Sequence, residues 1–168
     1  MRKGFTMIEL IFVIVILGIL AAIAIPRLAA SRDDAEAVKT ARAMSVLVSD
    51  ISSYYVSQAA LATNLKDMTG VKFVGNQTGL TGQMDTAGTQ CVQVTATAGT
   101  ADNPPVITFS KGAEGDSNIC PRVLANGAVK ELMTRTYSKV TPSSTTGGTP
   151  TISQEAGIAI GSTTTIKF

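Results

Sequence analysis

The sequence predicts an α+β protein in which the second half of one long N-terminal helix packs on a small antiparallel sheet. Three observations carry this prediction. A 21-residue segment, Phe5–Ile25, is apolar except at Thr6 and Glu9. From 28 to 62, apolar residues then recur at three- and four-residue spacings without Gly or Pro, which is typical of an amphipathic helix. Beyond Asn64 the composition changes to Thr, Gly, Ser and Val, which favours strands and turns.

The composition excludes several kinds of functional site. The 168 residues suffice for one domain of ordinary size. The chain contains no His, which removes Ser-His-Asp and Cys-His nucleophilic mechanisms and His-ligated zinc. A formal charge of +2 gives no reason to expect a nucleic acid or an acidic partner. A membrane-tethered enzyme or ligand-binding domain would require a polar constellation that the sequence does not present, so no catalytic residue is predicted.

The first element, Phe5–Ile25, is long enough to cross a membrane. A helix of this length extends for about 32 Å, close to the hydrocarbon core of a bilayer at about 30 Å. The segment is longer than the apolar region of a secretory signal peptide, which has about 7–15 residues, although Ala21–Ala24 offers small residues for cleavage. A membrane anchor is therefore the preferred interpretation, and a cleaved signal peptide is the alternative.

Glu9 is the residue that simple anchoring does not explain. A carboxylate at the centre of a spanning helix costs about 2.5–3.5 kcal/mol, and less near the interface. A partner exists if the chain is cut after Gly4, because Phe5 then carries an α-ammonium group in the same apolar layer. We therefore predict that Glu9 pairs with this ammonium group on an adjacent copy of the chain and so guides subunit assembly.

The N-terminal residues resemble a known leader. Arg2–Leu10, followed by the apolar run, is similar to the class III leader of type IV prepilins, a family of type IV pilins and of pseudopilins from type II secretion and DNA-uptake systems. The match comprises the basic leader, Gly4, the pair Phe5 and Thr6, and a Glu five residues after the glycine. The resemblance is strong over residues 1–30 and hardly extends to the C-terminal domain.

The resemblance implies a sequence of processing and assembly steps. A prepilin peptidase and N-methyltransferase would cut between Gly4 and Phe5 and methylate Phe5. The precursor would be a single-pass protein of the bacterial inner membrane, held in lipid, with its C-terminal domain outside the cytoplasm. An inner-membrane assembly platform and its ATPase would then polymerise it into a helical homo-oligomer, as a cell-surface pilus or a periplasmic pseudopilus. DNA is a further partner of such filaments, but this sequence does not support it.

Within the long helix, two residues are predicted to weaken the backbone. The leader at 1–4 precedes a membrane and filament-core segment at 5–26 and an amphipathic continuation at 27–62. Pro26 lacks an N–H group and crowds the preceding turn, and Gly18 costs about 1 kcal/mol relative to Ala. Both residue types are also common in ordinary membrane helices. The family resemblance favours a role in loosening the helix as a subunit leaves the bilayer.

The C-terminal domain, at 63–168, is predicted to consist mainly of strands. Cys91–Thr97 and Val106–Ser110 are the clearest of them, because polar and apolar residues alternate. The glycine-rich segment at 64–90 is interpreted as a connection, and the segment at 121–133 suits either short strands or a short helix. Thr141–Thr151 is interpreted as an exposed loop, and Gly157–Phe168 as the closing strand or hairpin.

Cys91 and Cys120 are predicted to form a disulfide bond. The only two cysteines of the chain enclose a loop for which a cross-link contributes about 3–4 kcal/mol to stability. The proposed topology places them in an oxidising compartment, where such bonds persist. Two free buried thiols are the alternative.

Charged residues of the C-terminal domain give two weaker candidates. Asp102, Glu114 and Asp116 carry oxygen ligands of the kind that bind Ca²⁺ in some pseudopilins, but their spacing matches no EF-hand and a solvated acidic loop is the simpler interpretation. No metal or other cofactor is therefore predicted. A modest basic patch, which exposed charge explains more simply than DNA contact, comprises Arg122, Lys130, Arg135 and Lys139.

Taken together, these features predict a structural subunit of a type IV pilus-like filament for adhesion, motility or DNA uptake. The alternative is a pseudopilin that acts as a periplasmic piston in a type II secretion or competence system. The cysteine pair and the Thr- and Gly-rich surface favour the pilin. The second cysteine lies 48 residues before the C-terminus, farther from it than in many pilins, which weakens that preference.

Overall fold

The computed structural model describes residues 4–100, 102–117, 119–141, 143 and 149–161. Three helices and seven strands lie within these ranges. In chain order they are α1 (Met7–Gln58), β1 (Phe73–Thr78), β2 (Thr81–Thr86), β3 (Thr89–Thr97), β4 (Val106–Lys111), α2 (Cys120–Ala125), α3 (Gly127–Thr134), β5 (Thr136–Thr141), β6 (Thr151–Ala156) and β7 (Ile158–Ala159), with a short 3-10 turn at Leu65–Asp67 between α1 and β1. The arrangement confirms the predicted α+β class.

Helix α1 is a single helix of 52 residues that continues through Gly18 and Pro26. It begins after the N-cap residue Thr6. It ends at Gln58, where Ala59 adopts a left-handed conformation with φ of 56° and donates its N–H to the carbonyl of Tyr55 at 2.8 Å. At about 1.5 Å per residue the helix is about 78 Å long, far longer than the domain that packs on it.

The main sheet has five strands in the order β1-β2-β3-β4-β7, and each neighbouring pair is antiparallel. Strand β7 is short and pairs Ile158 and Ala159 with Ile107 and Val106 of β4. It is part of the predicted closing strand, whereas Ile166 and Phe168 lie outside the described residues. A separate two-stranded sheet consists of β5 and β6.

The interpretation of 64–90 as a connection is wrong, because this segment contains β1 and β2. Gly79 and Gly88 lie in the turns that follow these strands, whereas Gly75 and Gly82 lie within β1 and β2. Between β2 and β3, Ala87 and Gly88 have φ of 51° and 82°, as a two-residue type I′ hairpin turn requires. The Asp85 carboxylate accepts a hydrogen bond from the Gly88 N–H at 2.8 Å and holds this turn. Glycine content alone therefore does not distinguish a hairpin from a loop.

Two other segments are also clearer in the structure than in the sequence. The ambiguous segment at 121–133 forms helices α2 and α3, separated at Asn126, whose side-chain oxygen accepts the N–H of Ala128 at 3.0 Å and so caps α3. The predicted loop Thr141–Thr151 begins and ends within β5 and β6. Most of its interior, at 142 and 144–148, lies outside the described residues.

The hydrophobic core lies between the second half of α1, the main sheet and helices α2 and α3. No residue of α1 before Ala37 belongs to this core. A buried hydroxyl pair, Thr40 and Thr86 at 3.1 Å, also joins α1 to β2. The largest fully buried side chains are Met44, Leu47, Ile51, Leu65, Met84, Val92, Val94, Ile107, Val123, Val129 and Ile160, together with Thr86.

Candidate functional site

The first turn of α1 closes a reciprocal cap between Thr6 and Glu9. The Glu9 carboxylate accepts the Thr6 N–H at 2.9 Å and the Thr6 hydroxyl at 2.8 Å, and the Glu9 N–H donates to Thr6 Oγ1 at 3.4 Å. This is a capping box, which satisfies amides that the helix leaves without a partner. Our sequence reasoning missed it, although the Thr-x-x-Glu spacing is its signal. In the isolated chain, the Glu9 carboxylate, which we predicted to guide assembly, therefore caps the helix to which it belongs.

The first half of α1 is bare apolar surface. Every residue from Gly4 to Ala29 is exposed, including Phe5 at 85% and Ile8 at 76%. By length and composition this part of the helix is able to cross a membrane. A contiguous apolar surface of this size on a folded protein marks a lipid or protein interaction site.

Gly18 and Pro26 lie in this exposed half. A Cβ atom added at Gly18 would meet no atom within 4 Å, so nothing within the described chain requires glycine there. Pro26 is accommodated inside the helix although it cannot donate a backbone hydrogen bond. The predicted weakening role of both residues stays a prediction, and it concerns surroundings that the isolated chain lacks.

Residues 1–25 match a family model described as the prokaryotic N-terminal methylation motif. The chain carries the class III leader of type IV pilins. No solved structure matches the chain. The long apolar helix followed by a small antiparallel sheet is a pilin-like arrangement, and leader and fold together support a type IV pilin or pseudopilin.

Within the pilin leader, Gly4 and Phe5 lie just before the helix. Both residues are exposed and non-helical, and Thr6 begins the cap. The bond between Gly4 and Phe5 is therefore in accessible backbone, and a Cβ atom at Gly4 would meet nothing within 4 Å. A peptide bond in exposed backbone outside the helix is one that a protease is able to reach. Cleavage at this bond and methylation of Phe5 stay predictions.

The pilin-like domain contains the predicted disulfide bond. Cys91 in β3 and Cys120 at the start of α2 are joined, with their Cα atoms 5.0 Å apart and both side chains fully buried. The bond fastens α2 to the centre of the main sheet. Because α2 also packs on α1, the cross-link helps to fix the platform on which the long helix lies.

Three of the four cations in the predicted basic patch form ion pairs with neighbouring carboxylates. Arg122 contacts Asp33 of α1 at 3.0 Å. The other two pairs are Arg135–Glu131 at 3.1 Å and Lys139–Glu155 at 3.0 Å. Hydrogen bonding and charge attraction from Glu155 raise the pKa of Lys139 above its usual value.

Two of the three acidic residues considered as Ca²⁺ ligands are placed in separate interactions. Asp116 forms an ion pair with Lys111, and the Glu114 carboxylate accepts the Gln90 N–H at 2.9 Å. Across the described ranges, no three His, Cys, Asp or Glu residues group in a way that would hold a metal ion.

Asn103 is a structural residue that sequence reasoning missed. Its side-chain amide donates to the Val140 carbonyl at 3.0 Å, and its side-chain oxygen accepts the Val140 N–H at 2.9 Å. It thus fastens the edge of β5 to the loop between β3 and β4. No local signal marks this role, since the partners are 37 positions apart.

Proposed function

We propose that this chain is a structural subunit of a type IV pilus-like filament that polymerises through its apolar N-terminal helix. The observation that carries the proposal is the combination of a pilin leader with a helix whose first half is bare. A helix of this kind needs lipid before assembly and neighbouring copies of itself afterwards. Such a subunit has no catalytic task, and the polymer itself is the functional product.

The proposal assigns an order of events to the N-terminal residues. The precursor sits in the inner membrane with its C-terminal domain outside the cytoplasm. A prepilin peptidase and N-methyltransferase removes residues 1–4 and methylates Phe5. Loss of Arg2 and Lys3 takes the formal charge from +2 to 0 and leaves one ammonium group at the start of the apolar segment.

Glu9 then gains a second role. In the precursor it caps α1 through Thr6. In the filament its carboxylate also faces the Phe5 ammonium of an adjacent copy, in an apolar layer where attraction is strong and desolvation is costly. The pair acts mainly as a register device, because an incoming subunit is held at the height where both charges are neutralised.

The second candidate function is that of a pseudopilin in a secretion or competence system, which would use the same leader and the same apolar helix. The leader and the exposed apolar half of α1 are compatible with both a pilin and a pseudopilin. Sheared material from wild-type and deletion strains, viewed by electron microscopy, separates a surface pilus from a periplasmic structure.

The test of the proposal is the mass of the mature protein. Intact-mass analysis of protein from its native host is expected to show the loss of Met1–Gly4 and the gain of one methyl group. Negative-stain images of sheared material are expected to contain filaments of the same species. A mature N-terminus near Pro26 would show instead that the apolar segment is an ordinary signal peptide and would overturn the proposal.

A further inference from the structure

A cleft lies between the main sheet and the β5–β6 hairpin, on the side of the sheet that faces away from α1. In β4, Ile107 and Phe109 point into the core, so Val106 and Thr108 point to the opposite side by alternation. The volume of the cleft is about 310 Å³, at the lower end of the roughly 300–1,000 Å³ of small-molecule sites. We call it the hairpin cleft, and its lining includes Thr97, Val106, Thr108, Tyr137, Lys139 and Glu155.

The hairpin that forms one wall of this cleft is fixed near its tip and at its base. Near the tip, the Asn103 side chain forms two hydrogen bonds with the backbone of Val140. At the base, the Gly157 N–H donates to the Arg135 carbonyl at 2.7 Å. A Cβ atom at Gly157 would collide with Val106, so glycine lets the chain pass close to β4 there. The two walls are therefore held in place before a ligand arrives, which lowers the entropy cost of binding.

The polar groups of the hairpin cleft include donors and acceptors, and their charges cancel. In the described part of the chain, Lys139 and Glu155 are the only charged residues of the lining, and they bind each other at 3.0 Å. Both side chains stay partly exposed, and the Tyr137 hydroxyl contacts Glu155 only at 3.5 Å. The Thr97 hydroxyl has no hydrogen-bond partner among the described residues. A ligand that suits this set is uncharged and carries hydroxyl groups, which both donate and accept.

The apolar part of the lining suits one face of a sugar ring. It combines the half-buried Tyr137 with the small apolar residues Ala98, Pro104, Val106 and Ala156. A pyranose ring has C–H groups on its face and hydroxyl groups around its rim. Such C–H groups carry partial positive charge and pack on the electron-rich face of an aromatic ring. Phosphate or a free metal ion would gain nothing from this apolar surface.

We propose that the hairpin cleft binds an uncharged sugar unit of a glycan. Tyr137 packs against the C–H face of the sugar ring, and Thr97, Lys139 and Glu155 form hydrogen bonds with its hydroxyl groups. The carboxylate accepts from two neighbouring hydroxyls in the way that it now accepts from the lysine and the tyrosine. Because the cleft carries no net charge, a neutral sugar is favoured over an acidic one.

The sheet surface that leads away from the cleft is also uncharged and polar. Thr81, Thr95 and Thr108 lie side by side on β2, β3 and β4, and Thr108 belongs to the cleft. In the next row, the side-chain amides of Gln83 and Gln93 form a hydrogen bond at 2.9 Å. Neighbouring strands are about 4.7–4.9 Å apart, so these groups form a flat surface of hydroxyls and amides. Further units of a glycan held in the cleft would lie on this surface.

The hairpin cleft is formed by a single chain, so sugar binding goes beyond the proposed function and does not depend on polymerisation. Filaments that form but bind no sugar would overturn sugar binding and leave the proposed function intact. A chain that binds sugar but forms no filaments would have the opposite meaning.

The first test measures binding to the full-length chain in micelles of a detergent without sugar headgroups. Saturation-transfer difference NMR is recorded with the uncharged probes cellobiose, maltose, lactose and N,N′-diacetylchitobiose, and with sialyllactose as the acidic counterpart of lactose. Transfer to the C–H protons of at least one uncharged probe is expected. Absence of transfer to all of them would overturn the proposal, as would tighter binding of sialyllactose than of lactose. Binding of tetra-alanine without binding of a sugar would overturn it in favour of a peptide partner.

Substitutions in the lining test whether the probe binds in the cleft. Tyr137→Ala removes the ring and is expected to weaken binding by about tenfold, whereas Tyr137→Phe keeps the ring and is expected to retain most of the affinity. Thr97→Val keeps the shape of the side chain, and loss of its hydroxyl is expected to weaken binding by about threefold. The matched control is Thr136→Val, at an exposed residue of β5 outside the lining, with wild-type affinity expected.

Thermal unfolding of each variant is measured alongside, so that a loss of binding is compared only between folded chains. Wild-type affinity in both Tyr137→Ala and Thr97→Val would place the sugar elsewhere and overturn the proposal. Equal loss of affinity in Thr136→Val and Thr97→Val would overturn it as well, because the effect would then not depend on the cleft.

Discussion

At the scale of the residue, Glu9 has two roles to be distinguished, the helix cap that the structure shows and the assembly contact that we propose. Its carboxylate closes the capping box with Thr6, an interaction that stabilises the start of any helix. The same carboxylate sits in an apolar layer, where charge is costly without a partner. A cap does not need a charge, because glutamine also closes a capping box, whereas pairing with an ammonium group does.

Glu9→Gln therefore decides between the two roles. The variant keeps the cap and loses the charge, and removal of one partner from a buried ion pair costs about 3–5 kcal/mol. Filament yield is expected to fall sharply while the amount in the membrane stays the same or rises. Thr6→Ala is the matched control, since it breaks the cap and keeps the carboxylate, and it is expected to assemble. Normal filament yield from Glu9→Gln and from Glu9→Val would show that this carboxylate does not guide assembly.

Lys139 and Glu155 form the charged pair of the β5–β6 hairpin, and its dependence on pH has a definite sign. The raised pKa of Lys139 means that the folded state holds this proton more tightly than the unfolded state. The stabilisation is complete below the ordinary lysine pKa of about 10.4 and is lost as pH rises through the folded value. An NMR titration of the Lys139 side chain is expected to have its midpoint above the ordinary value. Glu155→Gln is expected to lower that midpoint, and an unchanged midpoint would contradict the ion pair.

At the scale of the element, α1 is one continuous helix whose two halves are stabilised in different ways. The first half contributes no residue to the core and is stabilised in the isolated chain by its backbone hydrogen bonds, whereas in the proposed function lipid or neighbouring copies would cover it. The second half gains its stability from packing, as the buried row from Ala37 to Ile51 shows. Helix α2 braces this second half through the ion pair of Arg122 with Asp33 and is itself fastened to β3 by the disulfide bond.

The disulfide bond is expected to contribute measurably to the domain. Replacing both cysteines with alanine is expected to lower the free energy of unfolding by about 3–4 kcal/mol, because the unfolded chain regains the entropy of a 29-residue separation. Urea unfolding of the variant and of the reduced wild type checks the value, and the two should agree. Recovery of two alkylatable thiols from freshly isolated, unreduced protein would contradict the bond.

At the scale of the whole molecule, the surfaces for assembly and for folding are separate. The exposed apolar residues of α1 are concentrated before residue 30, and the core residues begin at Ala37. A protein built in this way can leave the membrane and enter a polymer while its outer domain stays folded.

Removal of residues 1–26 is expected to leave a soluble, folded monomer, because no core residue is lost. The fragment should sediment as a monomer without detergent, and its domain should unfold at nearly the same temperature as in the full-length chain in micelles. The full-length chain in the absence of detergent provides the control and is expected to associate. A fragment that is unfolded or aggregated would show that the first half of α1 supports the domain after all.

The sequence by itself determined the features that depend on neighbours along the chain. The apolar run, its leader and the amphipathic continuation could be recognised because helical hydrogen bonds and faces recur within a few residues. The disulfide bond followed from there being two cysteines, and the alternation of Cys91–Thr97 and Val106–Ser110 marked β3 and β4. The capping box also depends on neighbouring residues, so the Thr-x-x-Glu spacing of Thr6 and Glu9 would have allowed its prediction.

Only the tertiary structure decided the features that join distant segments. Strands β1 and β2 are stabilised by pairing across the sheet. Their glycine-rich sequence therefore led us to predict a connection at 64–90 where the structure has two strands. Strands β5 and β6, whose polar sequences carry little alternation, are likewise defined by pairing with each other. The ion pair of Arg122 with Asp33, which joins residues 89 positions apart in the sequence, could not be predicted either. Whether a charge is neutralised depends on which side chain the fold brings within about 4 Å of it, and chain order does not contain that distance.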